Sequence, residues 1–184
     1  MTELLFALIG AALVNNLILT LPVAADSLRH ARVQALGPAG ALLILLAAPL
    51  AWLLHKLLQP GLGYLSLLLF VPLLAALAWL SLALLARLRP SLAQPAGLWP
   101  LLLGNGAGLG VMLASKPLES FPLALALGLG GGLGFWMVLQ LFADLLERIE
   151  QCDVPTAFRG TPMLLICAGL MGLAFLGFNG LGAA

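Results

Sequence analysis

The sequence predicts an all-α membrane protein of six transmembrane helices arranged as an inverted 3+3 repeat, and three observations predict it. The first is composition: 62% of the 184 residues are hydrophobic and only 8% are charged, where a soluble domain carries about 25% charge. Eight basic and seven acidic side chains cannot cover a water-soluble surface, so apolar surface faces lipid. The second is length, since six apolar stretches approach the roughly 20 residues that a 30 Å hydrocarbon core requires. The third is that the first and fourth stretches are interrupted by asparagine and glycine at matching places. Helix is the only spanning element expected, because an open sheet leaves backbone groups unsatisfied in lipid. The short alternating segments of a barrel are absent from the sequence.

The spans follow in order. The first covers about residues 4–24. It opens Met1-Thr2-Glu3, acidic where a cleaved leader is basic, and is read as a retained helix. It contains Val14-Asn15-Asn16-Leu17 near its middle and Pro22 towards its end. The polar run Asp26 to Arg32 closes it. The second and third, about 38–58 and 63–86, are divided by Gln59-Pro60-Gly61, and Arg87 to Pro95 close the third. The fourth, about 97–115, is the shortest and contains Gly104-Asn105-Gly106-Ala107-Gly108. Ser115-Lys116-Pro117 separate it from the fifth, about 121–145. Glu147 to Pro162 separate the fifth from the last, about 162–182. Residues 1–184 form a single membrane domain with pseudo-repeats of about 1–92 and 97–184. Three helices per half is an odd number, so the second half sits upside down relative to the first.

Orientation follows from lysine and arginine alone. The odd connections carry Arg29, Arg32, Arg87, Arg89, Arg148 and Arg159, and the even ones only Lys56 and Lys116. Six against two places the odd connections in the cytoplasm and both termini outside, in the periplasm where the source has one. Trp99 and Tyr64 stand near span ends, where interfacial anchoring and packing between helices are equally open. A net charge of +1 gives no case for nucleic acid.

Paired, interrupted spans at matching positions point to a site near the membrane midplane. Asn15, Asn16 and Asn105 are its candidate residues, because amides in hydrocarbon are costly unless hydrogen-bonded. The plainer reading is that they bond across helices, with nearby glycines permitting close approach. Gly128, Gly130, Gly131, Gly132 and Gly134 are read as a flat packing face without chemistry. Cys152 and Cys167 stand in no C-x-x-C pair and are expected to be free thiols. His30 and His55 are expected near the interfaces rather than on a metal. No carboxylate or lysine falls in the core of a span, which argues against a self-contained proton-coupled transporter.

The stretch Cys152-Asp153-Val154-Pro155-Thr156-Ala157-Phe158-Arg159-Gly160 resembles a family hallmark, D-V-P-A-P-F-R-G. Glu147-Arg148 match the E-R before it, and residues 168–181 resemble the same family's closing helix. Leu13-Val14-Asn15-Asn16 match its L-V-N-N. The family is the A subunit of the Rnf (Rsx) ion-translocating oxidoreductase. The resemblance implies six helices in inverted halves, periplasmic termini, and a place in an electron-transport complex of the ferredoxin and NAD type coupled to ion translocation. It implies as partners the homologous E subunit, the flavin-bearing membrane subunit, and membrane lipid. It also implies an iron–sulfur cluster shared with the E subunit, to which each chain brings two cysteines. In this sequence those positions fall on Asp26 and Gly106, so the chain is expected to hold no cofactor of its own and to carry no complete catalytic site. Glu147, Arg148, Asp153, Pro155, Phe158, Arg159 and Gly160 become candidates for a cytoplasmic face that meets partner subunits, beside the plainer reading as helix-end and loop residues. Two other functions stay open: a stand-alone small-solute carrier or channel using the asparagines, and a purely structural subunit.

Overall fold

A computed structural model of the chain describes residues 2–14, 16–19, 27–30, 34–59, 65–90 and 97–178. Seven α-helices run in order: α1 (Thr2–Ile9), α2 (Leu36–Leu58), α3 (Ser66–Leu88), α4 (Leu98–Gly104), α5 (Gly106–Ser115), α6 (Phe121–Glu150) and α7 (Thr161–Leu176). No strand occurs among the described residues. A π-helical turn over Gly10–Val14 continues α1. Three helices, α2, α3 and α6, are long and apolar enough to cross a membrane, and α4 with α5, bent by 41°, make a fourth such unit. The multi-pass helical architecture is therefore plain. The first segment and α7 are shorter apolar helices.

One boundary differs from expectation. The fifth segment does not stop near residue 145 but stays helical to Glu150. Ala143 to Glu150 is a run of good helix formers, and Gln140 Nε2 donates to Asp144 Oδ1 at 3.2 Å one turn apart. At 1.5 Å per residue α6 is about 45 Å long, so its charged end stands beyond a hydrocarbon core of about 30 Å. The last segment is α-helical from Thr161 to Leu176; its expected end near 182 lies outside the described residues, as do Asn15, Pro22, Asp26, Arg32 and Tyr64.

α2 and α6 form the most extensive helix pair. They run antiparallel: Gly37 lies against Trp136, Gly132 against Ala41, Gly128 against Leu45 and Ala48, and Trp52 against Phe121. The first segment packs on α6, whereas α5 packs on α2. The first segment therefore lies on a long helix late in the chain, and α5 on one early in it. α3 packs on α2, and α7 touches α6 lightly.

The glycines of α6 make this packing possible, and they serve two neighbours rather than one flat face. A Cβ on Gly128 would stand 2.9 Å from Leu45 O, and one on Gly132 would stand 2.7 Å from Ala41 O, both in α2. A Cβ on Gly130 would collide with Leu8 O, and one on Gly134 with Ala12 O, both in the first segment. These are two small-x-x-x-small pairs, offset by two residues, each letting one backbone approach α6. In all four cases a glycine Cα–H points at a carbonyl oxygen, a weak but repeated attraction at helix interfaces. Leu45 O has a particular need of it. Pro49, four residues on in α2, has no N–H to give that carbonyl.

Candidate functional site

The two helix breaks are built alike. Asn16 and Asn105 are both buried, and each side-chain oxygen accepts a hydrogen bond from the backbone N–H two residues on: Ile18 N to Asn16 Oδ1 at 3.0 Å, and Ala107 N to Asn105 Oδ1 at 3.0 Å. This is the local turn that asparagine favours, and it competes with helix continuation. At Asn105 the backbone is extended (φ −73°, ψ 116°), and the residue caps the start of α5. Asn16 Nδ2 also donates to Ala12 O at 2.9 Å, satisfying a carbonyl at the end of the π turn. In place of the expected bonds across helices, these three bonds of Asn16 and Asn105 lie within their own segments. The physical reason is proximity, because a broken helix leaves its own N–H and C=O groups unpaired within reach.

Both breaks lie close to one level along α2. Leu17 Cδ1 and Ile44 Cγ2 flank the Cβ position of Gly131, at 3.5 and 3.4 Å. Gly131 stands midway along the apolar run of α6 from Phe121 to Phe142. On the other side of α2, Gly108 lies against Leu43 and Leu74. Leu43 and Ile44 are neighbours, so they set the two breaks level with each other. Leu17, Ile18, Leu102 and Ala107 belong to the same buried apolar cluster. The N-terminus of α5, carrying the positive end of a helix dipole, opens beside Asn105. Gly106, the first residue of that helix, brings no side chain there. Asn15 and Asp26 lie outside the described residues.

Both thiols belong to the C-terminal part of the chain. Cys152 is exposed just past the end of α6, its Sγ 3.6 Å from Arg148 O, and Cys167 is buried in α7. No group of three His, Cys, Asp or Glu side chains that could hold a metal ion occurs among the described residues.

The segment between α6 and α7 is a self-bonded turn. Pro155 keeps Val154 out of helical conformation and opens a 3-10 turn over Thr156–Phe158, with Phe158 N donating to Pro155 O at 2.9 Å. Arg159 reaches back, donating from Nε to Val154 O at 2.8 Å, with its terminal nitrogen 3.8 Å from Asp153. Gly160 has φ +82°, a conformation that costs a side-chain-bearing residue of order 1–3 kcal/mol. These contacts account for Pro155, Arg159 and Gly160 as architecture. Glu147 and Arg148 stand on the last turn of α6, while Asp153, Pro155 and Phe158 are exposed.

At the opposite end the sequence shows only two lysines in a charge count. There Lys116 Nζ donates to buried Ser66 Oγ at 3.0 Å and lies 5.9 Å from the Phe70 ring centroid. Trp52 Nε1 donates to Leu118 O at 2.8 Å, and Lys56 sits 5.8 Å over the Trp52 ring. Only the third dimension joins these residues, and the spacing of Trp52 from Leu118 carries no signal of it. His55 stands near the same end of α2, one turn after Trp52.

The family described as "Rnf-Nqr subunit, membrane protein" matches this chain over residues 6–182. Among similar proteins, the A subunit of the ion-translocating oxidoreductase complex of Syntrophotalea carbinolica is 39% identical, covering 98% of each chain. The protein of the same name from Azoarcus sp. is 38% identical over the same shares. The A subunit of the Na(+)-translocating ferredoxin:NAD(+) oxidoreductase complex of Acetobacterium woodii is 36% identical, covering 97% of each.

Proposed function

The chain belongs to the Rnf-Nqr family of membrane subunits, and from that membership we propose that it is a membrane subunit of an Rnf-type complex that couples electron transfer between ferredoxin and NAD to ion translocation. The observation that carries this reading is the end-to-end similarity to proteins named as the A subunits of such complexes. Two paired halves with their breaks at mid-depth suit the role, since a path through the bilayer needs irregular backbone there and such backbone is tolerated only inside protein. The solute-carrier reading is less favoured at Asn16, whose amide oxygen and nitrogen already bond to backbone.

Six spans in an inverted 3+3 repeat complete the proposal. Its support is the reciprocal packing, α1 on α6 and α5 on α2, with α2 and α6 antiparallel between them, together with the repeated asparagine turn. The odd connections are assigned to the cytoplasm of a bacterial inner membrane and the termini to the periplasm. Cys152 offers a direct check. A membrane-impermeant maleimide is expected to label it in inside-out vesicles and spare it in right-side-out ones, and the reverse pattern would overturn the orientation.

In this reading the chain does not donate its half of a shared iron–sulfur cluster. Such clusters are held by thiolates; Gly106 has no side chain, Cys152 is exposed just past α6, and Cys167 lies in α7. The proposed partners are the homologous E subunit, and the flavin-bearing membrane subunit, meeting Glu147, Arg148, Asp153, Pro155 and Phe158 on the cytoplasmic face. Affinity purification from detergent-solubilised membranes tests both statements. Co-purification of flavin-bearing and E-like proteins is expected, while isolation of the chain alone would reject the complex. A full cluster with ligands traced to this chain would reject the missing-ligand assignment alone.

A further inference from the structure

A cavity of about 660 Å³ opens where the end of α6, the start of α7 and the short turn at residues 27–30 meet. Its floor is apolar, formed by Leu28, Leu146, Ile149, Met163 and Leu164, and its rim carries Arg29, Arg159 and Glu150. Arg29 is exposed and makes no hydrogen bond or ion pair among the described residues. Arg159 is held in place by Val154 O, which leaves its terminal nitrogens at the rim beside the loosely paired Asp153.

Depth decides what such a cavity meets. The apolar run of α6 ends before Asp144, so Leu146 and Ile149 lie about 3–8 Å further along the axis. A headgroup layer is about 5–8 Å thick on each side of the hydrocarbon core. The cavity therefore lies in that layer, with its apolar floor towards the acyl chains. α7, which forms one wall, exposes Leu165, Leu170 and Leu173, so a chain leaving the cavity stays on apolar surface.

We propose that this cavity binds the headgroup of an anionic glycerophospholipid, with its phosphate between Arg29 and Arg159 and the first part of an acyl chain on the Leu146–Met163 floor. Guanidinium is the group best shaped to grip phosphate oxygens in pairs, and basic pockets between transmembrane helices hold anionic headgroups in this manner. The Glu150 carboxylate at the same rim repels a second anion, which suits a ligand carrying one phosphodiester.

The test uses the purified, delipidated complex containing this chain, with phosphatidylglycerol or phosphatidylcholine added back in detergent and retained lipid counted by native mass spectrometry. Wild type is expected to keep phosphatidylglycerol in preference to phosphatidylcholine, and Arg29→Gln to lower that retention about fivefold, the effect of one basic side chain at an anionic headgroup. Arg29→Lys should lose less. Leu164→Trp, which fills the floor and leaves both arginines, should lower retention as well. Equal retention by wild type and Arg29→Gln would overturn the proposal. So would displacement of the lipid by millimolar inorganic phosphate, which would make free phosphate the ligand, or binding only when partner subunits are stripped away.

Discussion

Gly134→Ala and Gly130→Ala are each expected to destabilise the protein by about 1–3 kcal/mol, the usual cost of forcing an extra carbon into a packed interface. The added methyl would collide with Ala12 O or Leu8 O. A backbone carbonyl cannot swing aside as a side chain does, so relief requires the whole first segment to move off α6. In Gly134→Ala that movement also disturbs Ala12 O, which accepts from Asn16 Nδ2, so the first helix break should loosen with it. Gly169→Ala and Gly172→Ala are the matched controls, since nothing lies within 4 Å of either new methyl. In those positions alanine should be neutral or stabilise by up to about 1 kcal/mol through its better helix propensity. Thermal unfolding in detergent, followed by tryptophan fluorescence, distinguishes the two pairs. If all four variants melted together, the close approach of the first segment to α6 would be wrong.

Asn105→Leu is expected to do more harm to function than to stability. It removes the oxygen that accepts from Ala107 N, a capping loss of about 1 kcal/mol. It also favours a straight run through α4 and α5 in place of the 41° bend. Ion-coupled electron transfer by the assembled complex in inside-out vesicles should fall more than about tenfold, equivalent to a barrier raised by over about 1.4 kcal/mol. Asn105→Ser keeps an acceptor suited to the cap and should retain most of the rate. Asn16→Leu should behave as Asn105→Leu does, because the two turns share the same side-chain hydrogen bond to the backbone N–H two residues on. Full coupling in both leucine variants would remove the breaks from the mechanism and leave them as packing features.

The positions of the breaks are legible in the sequence because asparagine and glycine inside an apolar run conflict with helix continuation. Their bonding is not, since an amide reads the same whether it reaches across to a neighbour or back to its own backbone. The loop before α7 is legible as a motif, and its geometry explains part of it: Pro155 starts the turn, Arg159 ties it, and Gly160 supplies the positive φ. The glycine run of α6 reads as packing, and it is packing, but the sequence suggests one face where there are two. The cavity at Arg29 is invisible in the sequence, because Leu28 and Ile149 are brought together only by folding.

What the sequence by itself determined is the solvent each segment prefers: the membrane class, the apolar segments and the two that break. Lipid imposes those features on every residue separately, through transfer free energy and the need to satisfy backbone groups, so they survive projection onto one dimension. What only the tertiary structure decided is which backbones touch. Gly128 and Gly132 serve α2 while Gly130 and Gly134 serve the first segment, and Leu43 and Ile44 set the two breaks level. Close approach depends on distances between remote parts of the chain, and a glycine, having no side chain, does not specify its neighbour.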